Sequence, residues 1–322
     1  MTEPSESRAR ELYDEVPYPS RPQAETHPDR LATIGRLFGL PVAPPSQCRV
    51  IEIGCCDGGN LIPMAFRLPG STFVGLDISP RSIKRGEQTA RALGLKNLEL
   101  VAADVQQADS GSAQADYIIC HGMWSWVEPP VRDAVLRLIR RALAPGGVAL
   151  LSYNVSPGWH MLRPMRDLMR FHARTLEGTP TEVVAKALEL VRLVADGTEE
   201  TSPVYSAGLH RALNVVGHFS PEYLFHDFLA PINEPFQFSD FAKVIHDGGL
   251  QYLGESGFGT MMHYGLEEAL TSAVRSAATG LVEMQQYLDF ARNTTFRYSL
   301  LCRADQPLRR ELDEQSLNGL HV

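Results

Sequence analysis

From about residue 48 to 155, short apolar runs alternate with amphipathic segments. The runs are 50–54, 73–78, 98–103, 117–120 and 148–153, a length that suits buried strands. Between them lie helical signals. Residues 61–68 close at Pro69-Gly70, and Ser79-Pro80 supplies an N-cap and a first-turn proline for a helix reaching Gly94. Residues 131–143 place apolar side chains at 131, 135, 138, 139 and 142, one helical face, before Pro145-Gly146-Gly147 stops them. Apolar strands alternating with helices predict an α/β, doubly wound, Rossmann-like parallel sheet covered on both faces.

Beyond Trp159 the pattern changes. Residues 161–176 and 181–195 read as helices, 196–201 as a polar break, and 202–235 as irregular, punctuated by Pro203, Pro221, Pro231 and Pro235. Residues 239–246 look helical, with Gly248-Gly249 as the stop, and 251–254 look like a strand. One helical stretch, 266–291, precedes 296–302, where Phe296, Tyr298, Leu300 and Cys302 alternate as in a strand. The sheet is therefore expected to resume after an insertion. The expected division is an N-terminal lid at 1–45, a core at 46–160, a helical insertion at 161–235, a return to the sheet at 236–304 and a tail at 305–322.

Composition narrows the function classes. With 322 residues, 44% of them hydrophobic, the chain can bury one large core. A formal charge of −8 and a pI near 5.7 count against nucleic acid as a partner. The polar N-terminus lacks the apolar core of a signal peptide, and no apolar run is long enough for a bilayer, so a soluble, cytoplasmic protein with no membrane partner is expected. Five cysteines (Cys48, Cys55, Cys56, Cys120 and Cys302) form no C-x-x-C pair, which suits a reducing compartment. Histidines such as His218 and His226 show no metal-ligand spacing and read as scattered core or surface residues, so no metal site is expected. Neither a G-x-S-x-G elbow nor a phosphate-binding G-K-[ST] loop is present.

The strongest constellation is Val50-Ile51-Glu52-Ile53-Gly54-Cys55-Cys56-Asp57-Gly58-Gly59-Asn60. An acid near the end of a first strand, followed by a glycine-rich turn into a helix, suits a nucleotide, because small residues admit the ligand to backbone N–H groups. Dinucleotide enzymes share glycine-rich turns, and a cofactor-free Rossmann domain is a second alternative. Here Glu52 precedes the first glycine by two, in E-x-G-x-x-x-G. A second strand ends at Asp77-Ile78 and a third leads to Asp104-Val105, placing acids where ribose hydroxyls and an adenine amino group would lie. Together with Leu143-Ala144-Pro145-Gly146-Gly147, this resembles the class I S-adenosylmethionine-dependent methyltransferase pattern. The resemblance implies S-adenosylmethionine as cofactor and S-adenosylhomocysteine as product. It points to Glu52, Gly54, Cys55, Cys56, Gly58, Asn60, Asp77, Ile78, Asp104, Val105 and Cys120 as cofactor-binding residues. Cys56 stands where the family's middle glycine does, narrowing the space near the methionine portion.

A narrower likeness follows from longer motifs. Tyr13-Asp14-Glu15-Val16-Pro17-Tyr18-Pro19-Ser20, Thr26-His27-Pro28-Asp29-Arg30-Leu31 and Cys120-His121-Gly122-Met123-Trp124-Ser125-Trp126-Val127 belong to it. So do Ser152-Tyr153-Asn154-Val155-Ser156-Pro157-Gly158-Trp159-His160 and Asn233-Glu234-Pro235-Phe236. These resemble bacterial methyltransferases that carry a methyltransferase regulatory region, a family that includes protein-lysine methyltransferases of the rickettsial type. Its larger members continue into further C-terminal domains, so acceptor recognition lodged there is expected to be absent from a sequence ending at Val322.

The expected reaction is methyl transfer to an amine or hydroxyl, with a lysine of a protein or peptide as one acceptor. A small-molecule N- or O-methyltransferase and a non-catalytic cofactor-binding regulatory module are the alternatives, and a homodimer is left open. His121 is the first candidate base, with Tyr18 and Tyr153 as further catalytic candidates. Trp124, Trp126, Asn154 and Trp159 are candidate acceptor contacts, since aromatic faces can hold a cation. Packing roles compete with each of these. The segment around Tyr13, Asp14, Glu15 and Tyr18 is expected to fold over the cofactor.

Overall fold

A computed structural model describes residues 18, 20–108 and 114–312. Among them, seven strands form one sheet in the order β3-β2-β1-β4-β5-β7-β6. They are β1 (Arg49–Ile53), β2 (Thr72–Asp77), β3 (Leu98–Ala102), β4 (Ala115–Cys120), β5 (Leu143–Asn154), β6 (Leu250–Glu255) and β7 (Phe296–Arg303). The first five pair in parallel, with Val50 beside Phe73 on one side and Tyr117 on the other. β7 runs antiparallel to β5 and to β6. Successive side chains enter opposite layers: Val50, Ile119 and Leu150 join one core, and Ile51, Ile118 and Leu151 the other.

Helices α1 (Pro28–Leu37), α2 (Leu61–Arg67), α3 (Pro80–Ala92) and α4 (Pro129–Ala142) flank this sheet. α1 is part of the core, with Leu31 and Ile34 buried. α3 starts as the sequence suggests: Ser79 Oγ accepts the Ser82 N–H at 3.1 Å with Pro80 at the first helical position.

The insertion is more helical than its sequence suggests. After α5 (Arg163–Ala173) and α6 (Pro180–Gly197), the stretch taken as irregular contains α7 (Pro203–Val216), α8 (Pro221–Leu224) and a π-helical turn at Phe225–Leu229. Pro203 and Pro221 read as breaks in the sequence, yet both occupy a first-turn position, where the missing N–H costs no hydrogen bond. These elements close around their own core, with Met165, Met169, Val191, Leu209 and Phe228 buried together. α9 (Phe238–Asp247) follows. The helical stretch expected at 266–291 is two helices, α10 (Glu268–Ala277) and α11 (Leu281–Arg292), separated where Ala278 and Gly280 turn extended.

A buried ionic group binds β6, β7 and α11 together. Arg297 lies 2.6 Å from Glu255 and donates through Nε to both Asp289 oxygens, at 2.9 and 3.1 Å. Its Nη2 meets the Gln285 carbonyl at 3.0 Å, and the Phe238 ring covers it at 4.2 Å.

Candidate functional site

A cavity of about 620 Å³ opens between the insertion and the carboxyl ends of β1, β2 and β4. That edge of a doubly wound sheet is where ligands bind. Glu52, Asp77 and Asp104 line it in strand order, together with Gly54, Cys55, Cys56, Asn60, Ile78 and Val105.

Asp77 joins two turns: Oδ2 accepts the Cys56 N–H of the glycine-rich turn at 2.8 Å and Oδ1 the Ser79 N–H of its own turn at 2.9 Å. Asp104 Oδ1 accepts the Gln106 N–H at 2.9 Å. Glu52 differs. Its Oε1 takes a hydrogen bond from Asn60 Nδ2 at 2.8 Å, while Oε2 is buried with no partner. Burial pushes this carboxyl up to about 7, and nearby Asp77 adds to the rise against the Asn60 bond. An orphaned carboxylate oxygen beside a cleft is suited to a cationic ligand, and the ammonium of S-adenosylmethionine fits it.

Asn60 carries this site outward. Its Oδ1 accepts the Gln23 N–H at 3.0 Å, and its Nδ2 also donates to Thr26 Oγ1 at 3.0 Å. Tyr18, Ser20, Arg21 and Gln23 thereby become cavity wall. Tyr13, Asp14 and Glu15, expected to join that cover, lie outside the described residues. Cys56 sits at φ +53°, a left-handed conformation suited to the glycine it replaces. Its Sγ lies 3.7 Å from the Tyr18 carbonyl, and burial pushes the thiol up to about 11, which leaves it a poor nucleophile.

His121 lines the cavity, but its surroundings disfavour the base role. Burial pushes the imidazole down to about 4, with Glu25 opposing. The ring stacks on Tyr298 at 5.4 Å, and Nδ1 lies 2.8 Å from Ser152 Oγ. Ser152 Oγ already accepts the Gly122 N–H at 2.8 Å and is fully buried, so its own hydrogen needs an acceptor. Nδ1 provides one, leaving the ring proton on Nε2. His121 is thus a neutral donor.

Other expectations fall away from the cavity. Tyr153 is 1% exposed, stacks on Phe241 at 3.9 Å and meets Ser299 Oγ at 3.0 Å, on the opposite face of β5 from Ser152 and Asn154. Trp124 is buried edge-on against Phe241 at 5.9 Å. Cys120 is core, and Gly58, at φ +74°, faces Leu100, which a Cβ would meet at 3.2 Å. Trp126, Asn154 and Trp159 do line the cavity.

The sequence reading missed the far wall. Tyr223, His226, Asp227 and Phe228 project from α8 and the π turn, and His218 joins them. Phe228 stacks on Trp159 at 5.4 Å, and Tyr18 meets Tyr223 and His226 at 5.9 and 5.5 Å. The missed signal was Ser220-Pro221, the same N-cap and proline pairing that marked Ser79-Pro80.

Residues 50–147 match the family model described as a methyltransferase domain, and residues 220–303 one described as a predicted methyltransferase regulatory domain. An uncharacterised protein of Rickettsia prowazekii is 34% identical over 231 residues, 72% of this chain and 92% of the relative. The chain belongs to the S-adenosylmethionine-dependent methyltransferases with this regulatory region. A second uncharacterised protein of that organism is 34% identical over 310 residues, 96% of this chain and 56% of its own length. PKMT2 from Rickettsia typhi, solved in complex with AdoHcy, superposes with a TM-score of 0.84 at 31% identity, covering 94% of this chain and 57% of that one. The chain thus spans little more than half of these last two proteins. In this methyltransferase the regulatory match includes the π turn, β6 and β7, so it supplies both a cavity wall and part of the sheet. Among the described residues, no helix is long and apolar enough to cross a membrane, and no group of three or more His, Cys, Asp or Glu could hold a metal ion.

Proposed function

We propose that this methyltransferase acts on an amine, with the lysine side chain of a protein or peptide as acceptor. The observation that carries this reading is the charge of the cavity. Besides Glu52, Asp77 and Asp104 on the cofactor side, Glu128 and Asp227 line it, and Arg21 is the one lysine or arginine among the lining residues. A wall of carboxylates and aromatic rings attracts an ammonium and offers little to an anionic acceptor. The likeness to PKMT2 over 94% of the chain supports the same reading.

Bound S-adenosylmethionine supplies an electrophilic methyl group on a sulfonium. Glu52 Oε2 would meet its ammonium, Asp77 its ribose hydroxyls and Asp104 its adenine amino group. Tyr18, Ser20 and Gln23, latched through Asn60, would exclude water above it. For the acceptor, the residues of the cavity position the nitrogen in line, which is the main demand of methyl transfer.

The test incubates the purified chain with methyl-labelled S-adenosylmethionine and either a lysine-rich peptide or its serine-substituted counterpart, read by mass spectrometry. Label on lysine nitrogen alone is the expected result. Label on hydroxyls, or on small amines but no peptide, would overturn the acceptor assignment.

A further inference from the structure

The chain passes from α8 (Pro221–Leu224) into a π-helical turn (Phe225–Leu229), and this change of pitch aims three consecutive residues, His226, Asp227 and Phe228, at the cavity. Such wide turns recur at functional sites. The Asp227 carboxylate accepts the Tyr223 hydroxyl, and it lies near Arg166, whose Nη2 bonds the Ala230 carbonyl at 2.5 Å just past the turn. The turn is also tied to the sheet: Asn233 donates to the Asp227 carbonyl at 3.4 Å and accepts from Asn154 Nδ2 at 3.1 Å.

Asp227 stands apart from the other cavity carboxylates. Asp77 accepts backbone N–H groups from its own turn and from the glycine-rich turn after β1, Asp104 accepts one from its own turn, and Glu52 sits at the cofactor end. Asp227 instead faces the aromatic wall, where Tyr18 contacts Tyr223 and its carbonyl accepts from Cys56 of the cofactor turn. That places a carboxylate and two phenol rings on one wall of the cavity, joined to the cofactor loop through Tyr18.

We propose that Asp227, oriented by Tyr223, receives the acceptor ammonium and takes one of its protons. This assignment rests on the amine reading above. The carboxylate pairs with the ammonium while the rings of Tyr18 and Tyr223 flank it. One N–H bond breaks, its proton passes to an Asp227 oxygen, and the freed lone pair forms the new N–C bond. The C–S bond breaks with its electrons going to sulfur, leaving a neutral thioether and a methylated ammonium, and Asp227 then releases its proton to solvent. Burial pushes the Asp227 carboxyl up to about 7, against the Tyr223 bond and Arg166, which suits a group that gains and loses a proton near neutrality.

The experiment is calorimetric titration with n-butylammonium, a stand-in for the lysine side chain, on protein saturated with S-adenosylhomocysteine. Wild type should bind it, Asp227→Asn at least tenfold more weakly, and Tyr223→Phe roughly two- to fivefold more weakly, with S-adenosylhomocysteine affinity unchanged in both. Equal amine affinity in Asp227→Asn, with the S-adenosylhomocysteine site intact, overturns this assignment and leaves the amine reading standing. Should that variant fail to fold, unchanged amine affinity in Tyr223→Phe overturns it instead. Absence of butylammonium binding to wild type, before any variant is made, removes the amine reading and this assignment together.

Discussion

The sheet buries two glutamates, one at its β6–β7 edge and one on the central strand β1, and the protein provides for them in opposite ways. At the β6–β7 end, Glu255 is 2% exposed and its Oε1 is met by Arg297 at 2.6 Å, Ser299 at 2.8 Å and Tyr252 at 3.0 Å. On β1, in the middle of the sheet, Glu52 is 3% exposed and has Asn60 on one oxygen and no partner on the other. A buried charge is costly unless it is paired and hydrogen-bonded. The first group is completed by the protein and fastens the edge of the sheet. The second is left with one oxygen unpartnered, the place where we propose that a cationic ligand binds.

Breaking the completed end should have the largest effect. Arg297→Ala strands Glu255 and Asp289 and should lower stability by about 3–5 kcal/mol in urea denaturation. A loss under about 1 kcal/mol would mean that the edge of the sheet does not depend on that group.

Glu52→Gln should act in two directions. Between an ordinary pH of 4.5 and about 7 the folded chain keeps a proton that the unfolded chain has released. Wild-type stability therefore falls as pH rises through that window. The glutamine variant should lack this slope, be about 1–3 kcal/mol more stable than wild type at pH 8, and bind S-adenosylmethionine at least tenfold more weakly. A variant that keeps full affinity would separate Glu52 from the cofactor.

Cys56→Gly sharpens the picture with the smallest change. A non-glycine residue at φ +53° is strained, and relief should outweigh the added freedom of the unfolded chain by about 0.5–1 kcal/mol in a thermal melt. A destabilised variant would show that the Sγ contacts to Tyr18 and Ser82 matter more than the strain.

What the sequence made legible divides along the same cavity. The cofactor half is local: Glu52 and Asn60 are eight residues apart, and Asp77 and Asp104 each sit at or just past a strand end. Composition and spacing report such sites directly. The far wall is assembled from Tyr18 and from α8 with its π turn, some two hundred residues later. Reading Pro203 and Pro221 as breaks hid it, along with Tyr223, His226 and Asp227.

Two misplacements had readable causes. Period-two alternation puts Tyr153 on the opposite face of β5 from Asn154, away from the cavity that Asn154 lines. Trp124 and Trp126 lie on one short 3₁₀ turn, at about 120° per residue, so only one faces the ligand side.

The most direct test of the account is calorimetric titration of wild type and Asp77→Ala with S-adenosylhomocysteine and NAD, beside a thermal melt of each. Wild type should bind S-adenosylhomocysteine and not NAD, and the variant should lose roughly 1.5–3 kcal/mol of that affinity while still folded. Unchanged affinity in a folded variant, or binding of NAD alone, would contradict a cofactor seated on the carboxylates of β1, β2 and β3.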